Sequence, residues 1–280
     1  MTIRVLTDST CDIPAETAAQ YGIVIVPAYI NIDDESYLDG VELSRTQFYE
    51  QLPGYQSPPT TAAPASGTFA EAYKKLAEEG AAAIISIHVA TSLSGVLNAA
   101  RLGTEMVEDV VPVTLFDSMQ LSMGLGLLAI TAAKAAAAGK TTAEIIAMLE
   151  ERRSRTHVFA QLDTLEYLRR SGRVNWAEFG IGTLLQIKPL VHVYNGEVEM
   201  RDKIRTIKRA MAQMIQYAAE LGPLESIALL HTAATDKLEM FRQQTRHLYP
   251  SEETPLVVEV TPAIGAHIGP GALGIACVTA

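Results

Sequence analysis

Cysteine is nearly absent from this chain. Cys11 and Cys277 are the only two among 280 residues, too few for a disulfide framework or a zinc cluster. Positive charge is scarce as well. Lys and Arg total 22 against 32 Asp and Glu, a net charge of -10, which opposes nonspecific binding to nucleic acid. The same field repels an anionic ligand at long range, so any anion site has to be made from local donors. No GxxxxGK(S/T) or GxSxG run occurs, which argues against a P-loop and a nucleophile elbow. Uninterrupted apolar stretches are missing too. The most lipid-like segment, Leu121 to Ala138, is broken by Ser122, Gly124, Gly126, Thr131 and Lys134 and reads as a buried helix rather than a membrane span. The opening residues Met1–Asp8 read directly as a strand, without a signal-peptide pattern. The expectation is a soluble cytoplasmic protein with no integral membrane association and no nucleic-acid partner.

What is present is an ordinary globular composition, 48% apolar and 19% charged, which excludes long disordered tracts. The length exceeds what one hydrophobic core usually serves and predicts two domains. In the first half, strand candidates at Ile3–Leu6, Ile23–Ala28, Ala83–Val89 and Val111–Phe116 are separated by helical patterns. Those helices run over Ser44–Gln51, Thr68–Gly80, from Ser94 onward, and over Met119–Ala138. Strands separated by helices imply parallel pairing with right-handed crossovers. After a helix over Thr142–Arg153 the character changes. Asn195-Gly196 between alternating runs predicts a hairpin, and strands at Ser226–His231, Leu256–Val260 and Leu273–Val278 follow. The expected fold class is α/β with two α/β domains. Residues 1–155 surround a mainly parallel sheet and residues 156–280 a mixed one, with a ligand cleft between them.

The densest chemistry lies in Gly265–Gly274, a glycine-rich turn holding His267. Glycine lets backbone approach a ligand closely, and a histidine there donates or accepts a hydrogen bond and changes charge near neutrality. The literal GxGxxG match inside it lacks the preceding strand and following helix of a dinucleotide fingerprint and is read as chance. Two upstream segments offer hydroxyls. Thr60-Thr61 lies in a proline-studded loop. Thr91-Ser92-Leu93-Ser94-Gly95 follows a buried strand and opens a helix, where free N–H groups favour an anion. These three segments suggest a site that grips a small polar head without a full positive charge.

Asp8 and Ser9, at the end of the first strand, are candidate cleft-lining residues, together with Thr91, Asp117 and Ser118. Ligands of open α/β sheets lie beyond the carboxyl ends of strands. Capping and strand termination are the plainer explanation for Asp12, while Asp8 and Ser9 stand about evenly between that and the cleft. Cys11 reads as a packed thiol. The cluster Arg169, Arg170 and Arg173 is either a solvated face or a docking patch for an acidic or phosphate-bearing partner. His88, His157, His192 and His231 lack metal-like spacing and read as structural, so no metal is expected.

Taken in order, these segments resemble the DegV family of bacterial fatty-acid-binding proteins. The matching pieces are Thr7–Pro14, Thr61–Pro64, Leu93–Gly95, Asp117-Ser118, Leu165–Val174, Lys188-Pro189 and Gly265–Gly274, which together span almost the whole chain. The resemblance implies one long-chain fatty acid between two α/β domains, its tail in an apolar tunnel and its carboxyl group held by Thr61, Ser94, Gly95 and His267. It also implies a partner, an ATP-dependent fatty acid kinase that converts the presented acid to acyl phosphate, with Arg170 and Arg173 as its docking surface. No cofactor and no catalytic turnover are expected. The family usually carries Thr-Ser-Gln-Pro where this chain has Thr61-Ala62-Ala63-Pro64, and Gly-Gly-Arg where it has Ser171-Gly172-Arg173.

Physical chemistry agrees with that picture. Each buried methylene contributes about 0.8 kcal/mol, so the tail supplies the affinity. The head needs satisfaction, because an unpaired buried carboxylate is costly. Leu121, Met123, Leu125, Leu127 and Leu128, with Gly124 and Gly126, are either tunnel wall or ordinary helix core, and core is the plainer reading for most. Two rival functions stand beside the carrier. One is a hydrolase or acyltransferase with Ser94 as nucleophile and His267 as base, for which no third member is visible. The other is a carrier of a different amphiphile, such as a retinoid or sterol.

Overall fold

The computed structural model describes residues 2–174, 187–250 and 254–280. Its first half forms a parallel sheet from β1 (Ile3–Asp8), β2 (Val24–Val26), β6 (Ala83–His88) and β7 (Val113–Asp117), in the order β2-β1-β6-β7. The strand β6 is buried along its entire length, as expected for a strand covered on both faces. Helices α1 (Ala15–Tyr21), α3 (Ser66–Glu78) and α4 (Val96–Glu105) supply connections between these strands.

A second, six-stranded sheet contains β8 (Thr156–Gln161), β9 (Lys188–Tyr194), β10 (Glu197–Ile204), β11 (Leu224–His231), β12 (Leu256–Glu259) and β13 (Leu273–Thr279). The order is β10-β9-β8-β13-β11-β12, and only the β11–β12 pair is parallel. The α/β class, with one parallel and one mixed sheet, is the expected one. The hairpin forms where Asn195-Gly196 stands. Asn195 has φ 48 and Gly196 φ 79, the paired left-handed residues of a tight turn between twisted strands. Gly196 also docks the tip: its N–H donates to Met119 O at 2.8 Å, and the Ser92 hydroxyl donates to Gly196 O.

Between the two sheets lies α5 (Ser122–Ala137), which packs against β1 and β6 on one side and β8, β11 and β13 on the other. Glycines permit that sandwich. A Cβ on Gly124 would lie 2.7 Å from Val158 Cγ2, and one on Gly126 2.6 Å from the Cys11 carbonyl oxygen. The helix begins three residues later than expected, because Met119 and Ser122 take positive φ of 50 and 53. α6 (Thr142–Arg153) matches its expected limits. Thr141 and Glu144 cap it reciprocally, with Glu144 Oε2 accepting from the Thr141 N–H at 2.8 Å.

One element was not anticipated. β3 (Tyr29–Ile32), β4 (Glu35–Leu38) and β5 (Thr60–Ala62) form a small antiparallel sheet in the order β4-β3-β5. With α2 (Arg45–Gln51) it encloses its own cluster of Ile30, Ile32, Leu43, Phe48, Tyr49 and Leu52. Its signal was the alternating burial of Tyr29–Ile32 followed by a turn at Asp33, whose φ is 51. Among the described residues, no helix is long and apolar enough to cross a membrane.

Candidate ligand-binding site

The small sheet places Thr61. In β5 it stands opposite Ile30 of β3, so the expected loop is a strand. β5 packs against α10 (Pro262–Ile268), which follows α8 (Ile207–Glu220) and α9 (Thr235–Thr245) along the chain and carries His267 in its last turn. Of the expected glycine-rich turn, Gly265–Ile268 are the end of this helix, Gly269–Ala272 make the turn, and Leu273 and Gly274 open β13. Pro262 sits at the first turn of α10, and Asp12 Oδ1 accepts from the Thr261 N–H at 2.7 Å, satisfying a donor at the helix start. Gly265 is tolerated inside the helix because Tyr49 occupies the space of its missing side chain. A Cβ there would lie 2.4 Å from Tyr49 Oη, which donates to Val260 O at 3.0 Å. Gly269 ends the helix with φ 74 and ψ -179, a conformation close to glycine-only. The Tyr167 ring lies 2.3 Å from where its Cβ would be. Gly269→Ala is expected to lower stability by about 2 kcal/mol, read as a lower urea midpoint with unchanged slope. An unaltered midpoint would refute this account of the turn.

The result is a direct contact between residues 206 positions apart: Thr61 Oγ1 and His267 Nε2 are 2.9 Å from each other. Both line a cavity holding about 1300 Å³ of empty space, its open mouth included. Ser94 and Gly95 line the same cavity from the loop ahead of α4. Ser94 N–H donates to Ala90 O at 3.2 Å, fixing the turn, and Ser94 Oγ accepts a long bond from Val96 N–H at 3.4 Å. Among the described residues no acceptor takes the serine proton. The remaining walls are apolar. Val158 and Ala160 of β8, Val191 and Val193 of β9 and Val198 of β10 form one side, and Ile264 and Ile268 of α10 another.

The site is electrically quiet but not free of charge. Burial, and then the positive charge of Arg173, hold the His267 imidazole down to a pKa of about 4, so the ring is neutral near pH 7 with one donor and one acceptor. Arg173 itself lines the cavity while staying exposed. Expected only as part of a docking surface, it stands as a cation at the mouth. It departs from the expectation of a site without full positive charge. Arg170 behaves differently: on α7 (Glu166–Ser171) it forms an exposed ion pair with Glu166, and it does not line the cavity.

The five candidate cleft-lining residues do not line this cavity. Asp8 is fully buried and accepts from His88 Nδ1 at 2.9 Å and from the Val89 N–H at 3.2 Å. His88 Nε2 meets Ser86 Oγ at 2.7 Å, and Ser86 meets Tyr73 Oη at 2.9 Å. This Asp-His-Ser array looks hydrolytic but has no exposed member, so it serves as buried polar scaffolding. Ser9 Oγ accepts from the Ala28 N–H at 3.1 Å. Thr91 donates to Asp117, and Asp117 Oδ1 accepts from Met119 N–H at 2.8 Å. Ser118 Oγ accepts from the Gln120 N–H at 3.1 Å. In each case the polar atoms at the strand ends are spent on loop geometry.

The helix-wall expectation is corrected similarly. Only Leu121 of the named residues reaches the cavity, while Met123, Leu125 and Leu128 are 0% exposed core. Burial raises the Cys11 thiol well above its usual range, consistent with a packed, unreactive sulfur. His157 and His192 stack on the other face of the β8–β9 pair, ring nitrogens 3.1 Å apart. Of the histidines read as structural, His231 is the exception, since it lines the cavity.

The family model for uncharacterised proteins of the DegV family matches residues 2–280. The chain belongs to the DegV family. A DegV domain-containing protein of Streptomyces coelicolor is 36% identical over 275 residues, covering 98% of this chain and 97% of its own. A solved DegV family protein of Thermus thermophilus, described by its fatty acid binding, superposes with a TM-score of 0.91 at 30% identity and full coverage of both chains. DegV of Bacillus subtilis, described as a fatty acid binding protein, superposes at 0.88 with 31% identity, again over the whole of both chains. Against the family's usual pattern, Ala62 and Ala63 of this DegV protein still line the cavity beside Thr61, as apolar wall rather than as polar donors. Ser171 closes its own helix end, donating to Leu168 O at 2.7 Å and accepting from the Arg173 N–H at 3.2 Å.

Proposed function

We propose that this protein is a carrier that binds a long-chain fatty acid in the cavity and presents its carboxylate to a fatty acid kinase, which forms the acyl phosphate. The observation that supports this best is the meeting of Thr61 and His267, with Ser94 and Gly95 on the same cavity, at a chamber otherwise walled by aliphatic side chains. Each methylene entering that chamber contributes about 0.8 kcal/mol. With its proton on Nε2, the neutral imidazole donates to Thr61 Oγ1 and frees the threonine proton for a carboxylate oxygen. Ser94 has its own proton to give, and the N-terminus of α4 adds partial positive charge. The exposed Arg173 draws the anion to the mouth without enclosing it, which leaves the head reachable by a partner. Arg170, on the adjoining helix, belongs to the surface such a kinase would meet. The reading requires no cofactor and no turnover by the chain itself, and it fits a cytoplasmic location.

Nothing in the geometry favours a hydrolase. His267 bonds Thr61 and not Ser94, and among the described residues no carboxylate orients its ring. Native mass spectrometry of protein expressed in a lipid-containing host tests the carrier. A bound mass matching a long-chain acid is expected, and stripped protein should gain several degrees of melting temperature when such acids are added. Protein that emerges empty and gains nothing would overturn the proposal.

A further inference from the structure

The cavity has a second polar pole that the carboxylate site does not use. His231 closes β11, where it pairs with Leu273 of β13 and Glu259 of β12. Its residue exposure is only 6%. Nδ1 is sealed off without a hydrogen bond, 3.9 Å from Glu259 Oε1 and beyond bonding reach. Nε2 has no hydrogen-bond partner among the described residues either. Next to it, Thr232 is fully buried, and its Oγ1 accepts from the Ala272 N–H at 2.8 Å. That contact uses a lone pair and leaves the hydroxyl proton without an acceptor among the described residues. Both residues line the cavity. Its other inner hydroxyls are already spent, Thr10 on Asp8 and Ser122 on Asp12.

We propose that His231 and Thr232 form an in-tunnel anchor that selects fatty acids carrying a hydroxyl group part-way along the chain. The inference rests on the carrier reading above. A saturated tail lying against these groups leaves an imidazole and a hydroxyl proton unpaired in an apolar chamber, which is costly. A ligand hydroxyl both donates and accepts, matching a neutral ring beside a free threonine proton. Burial, and then the positive charge of Arg45, keep His231 below its ordinary pKa, so the ring is uncharged at neutral pH. A second carboxylate on the ligand would meet Glu259 nearby and the acidic chain as a whole, with the Arg45 guanidinium already donating to the Glu259 carbonyl.

The placement also bounds where the hydroxyl lies. α10 starts just after β12, beside His231, and ends with His267. His267 stands five positions after Pro262, a rise of about 7.5 Å along the helix. Ile264 and Ile268 of that helix face the cavity as apolar wall. The selected hydroxyl therefore falls several carbons from the carboxyl group, in the first half of a long chain.

Stripped protein is titrated calorimetrically with octadecanoic acid and with monohydroxy-octadecanoic acids whose hydroxyl moves carbon by carbon along the first half of the chain. At one position the hydroxy acid is expected to bind about tenfold more tightly than octadecanoic acid, the worth of one net hydrogen bond. In His231→Leu the ratio of the two affinities should fall to about one, and Thr232→Val, measured separately, should reduce it in the same direction. Equal affinities across the whole series, or a preference that survives in both variants, would overturn the anchor while leaving the carrier intact. Failure of octadecanoic acid and every hydroxy acid to bind would instead bring down the carrier reading, and the anchor with it.

Discussion

Replacing Asp39 with asparagine is expected to stabilise the protein by about 2 kcal/mol at pH 8 and to steepen the rise of its stability with pH below neutrality. Asp39 follows β4 and is only 3% exposed, with both carboxylate oxygens sealed and outside hydrogen-bond geometry. Burial raises its pKa most. The Ser9 hydroxyl opposes the rise, the Asp12 charge adds to it, and the Arg45 guanidinium and Ala263 N–H oppose it, leaving the group at about 7. Folding therefore takes up a proton at this site between the ordinary carboxylate pKa and about 7. In that window the native state binds more protons than the unfolded chain, so the contribution of Asp39 to stability declines as pH rises. At pH 8 the wild type buries a charge that the asparagine variant lacks. Part of the gain is lost because the new amide donors also go unpaired.

The histidines push the other way. His267 and His192 are both held to about 4, chiefly by burial. The unfolded chain binds their protons first as pH falls, so their contribution is complete above the ordinary histidine pKa and is lost toward pH 4. In the wild type the opposing slopes of Asp39 and the histidines partly cancel between pH 4 and pH 7. In Asp39→Asn the opposing term of Asp39 is removed, with only buried Asp12 still pulling the same way, and stability should climb more steeply across that range. Urea unfolding followed by circular dichroism from pH 4.5 to pH 8 gives both curves. A variant less stable than wild type at pH 8 would refute this assignment of Asp39.

The elements legible in the sequence are those whose signals are local. Periodicity located β6 and the strands beside it, Asn195-Gly196 located the hairpin, and the Thr141 to Glu144 box located α6. The small sheet was missed because its strands have three or four residues, too few for periodicity to register against the prolines around them. The helix at His267 was missed because its glycines read as loop. Gly265 is glycine for the sake of Tyr49, 216 residues upstream in sequence, which no local pattern reveals.

Of the site, Thr61, Ser94, Gly95 and His267 were named together from hydroxyls, a helix start and a resemblance, and they line one cavity. Asp8 was misplaced because its partner His88 lies 80 positions away on the neighbouring strand. A carboxylate at the end of β1 can face a cleft or a histidine, and only the β1–β6 pairing decides. Arg173 and Arg170 look equivalent in sequence. Gly172, with φ 66, ends α7 between them, so one arginine continues the helix face and the other turns to the cavity.

The largest effect on binding is expected from the Thr61–His267 contact. His267→Leu should weaken a long-chain acid by roughly tenfold to a hundredfold, the range for a hydrogen bond supporting a charged group. Thr61→Val should cost about the same, because in the proposed arrangement the imidazole acts on the carboxylate through the threonine. The double variant should then be little worse than either single one, an interaction energy close to the whole single effect. His267→Gln keeps a side-chain N–H and should recover most of the affinity. The methyl ester of the same acid, lacking the anion, should bind wild type and variants with similar, weaker affinity. A further consequence follows from the depressed pKa of His267. Between pH 6 and pH 8 the ring keeps one protonation state, so this group should lend no slope to the affinity. If the ring held the carboxylate as an imidazolium, binding would weaken as pH rises and the slope would vanish in His267→Leu. Such a slope, or strictly additive losses in the double variant, would overturn the neutral relay from imidazole through threonine to carboxylate.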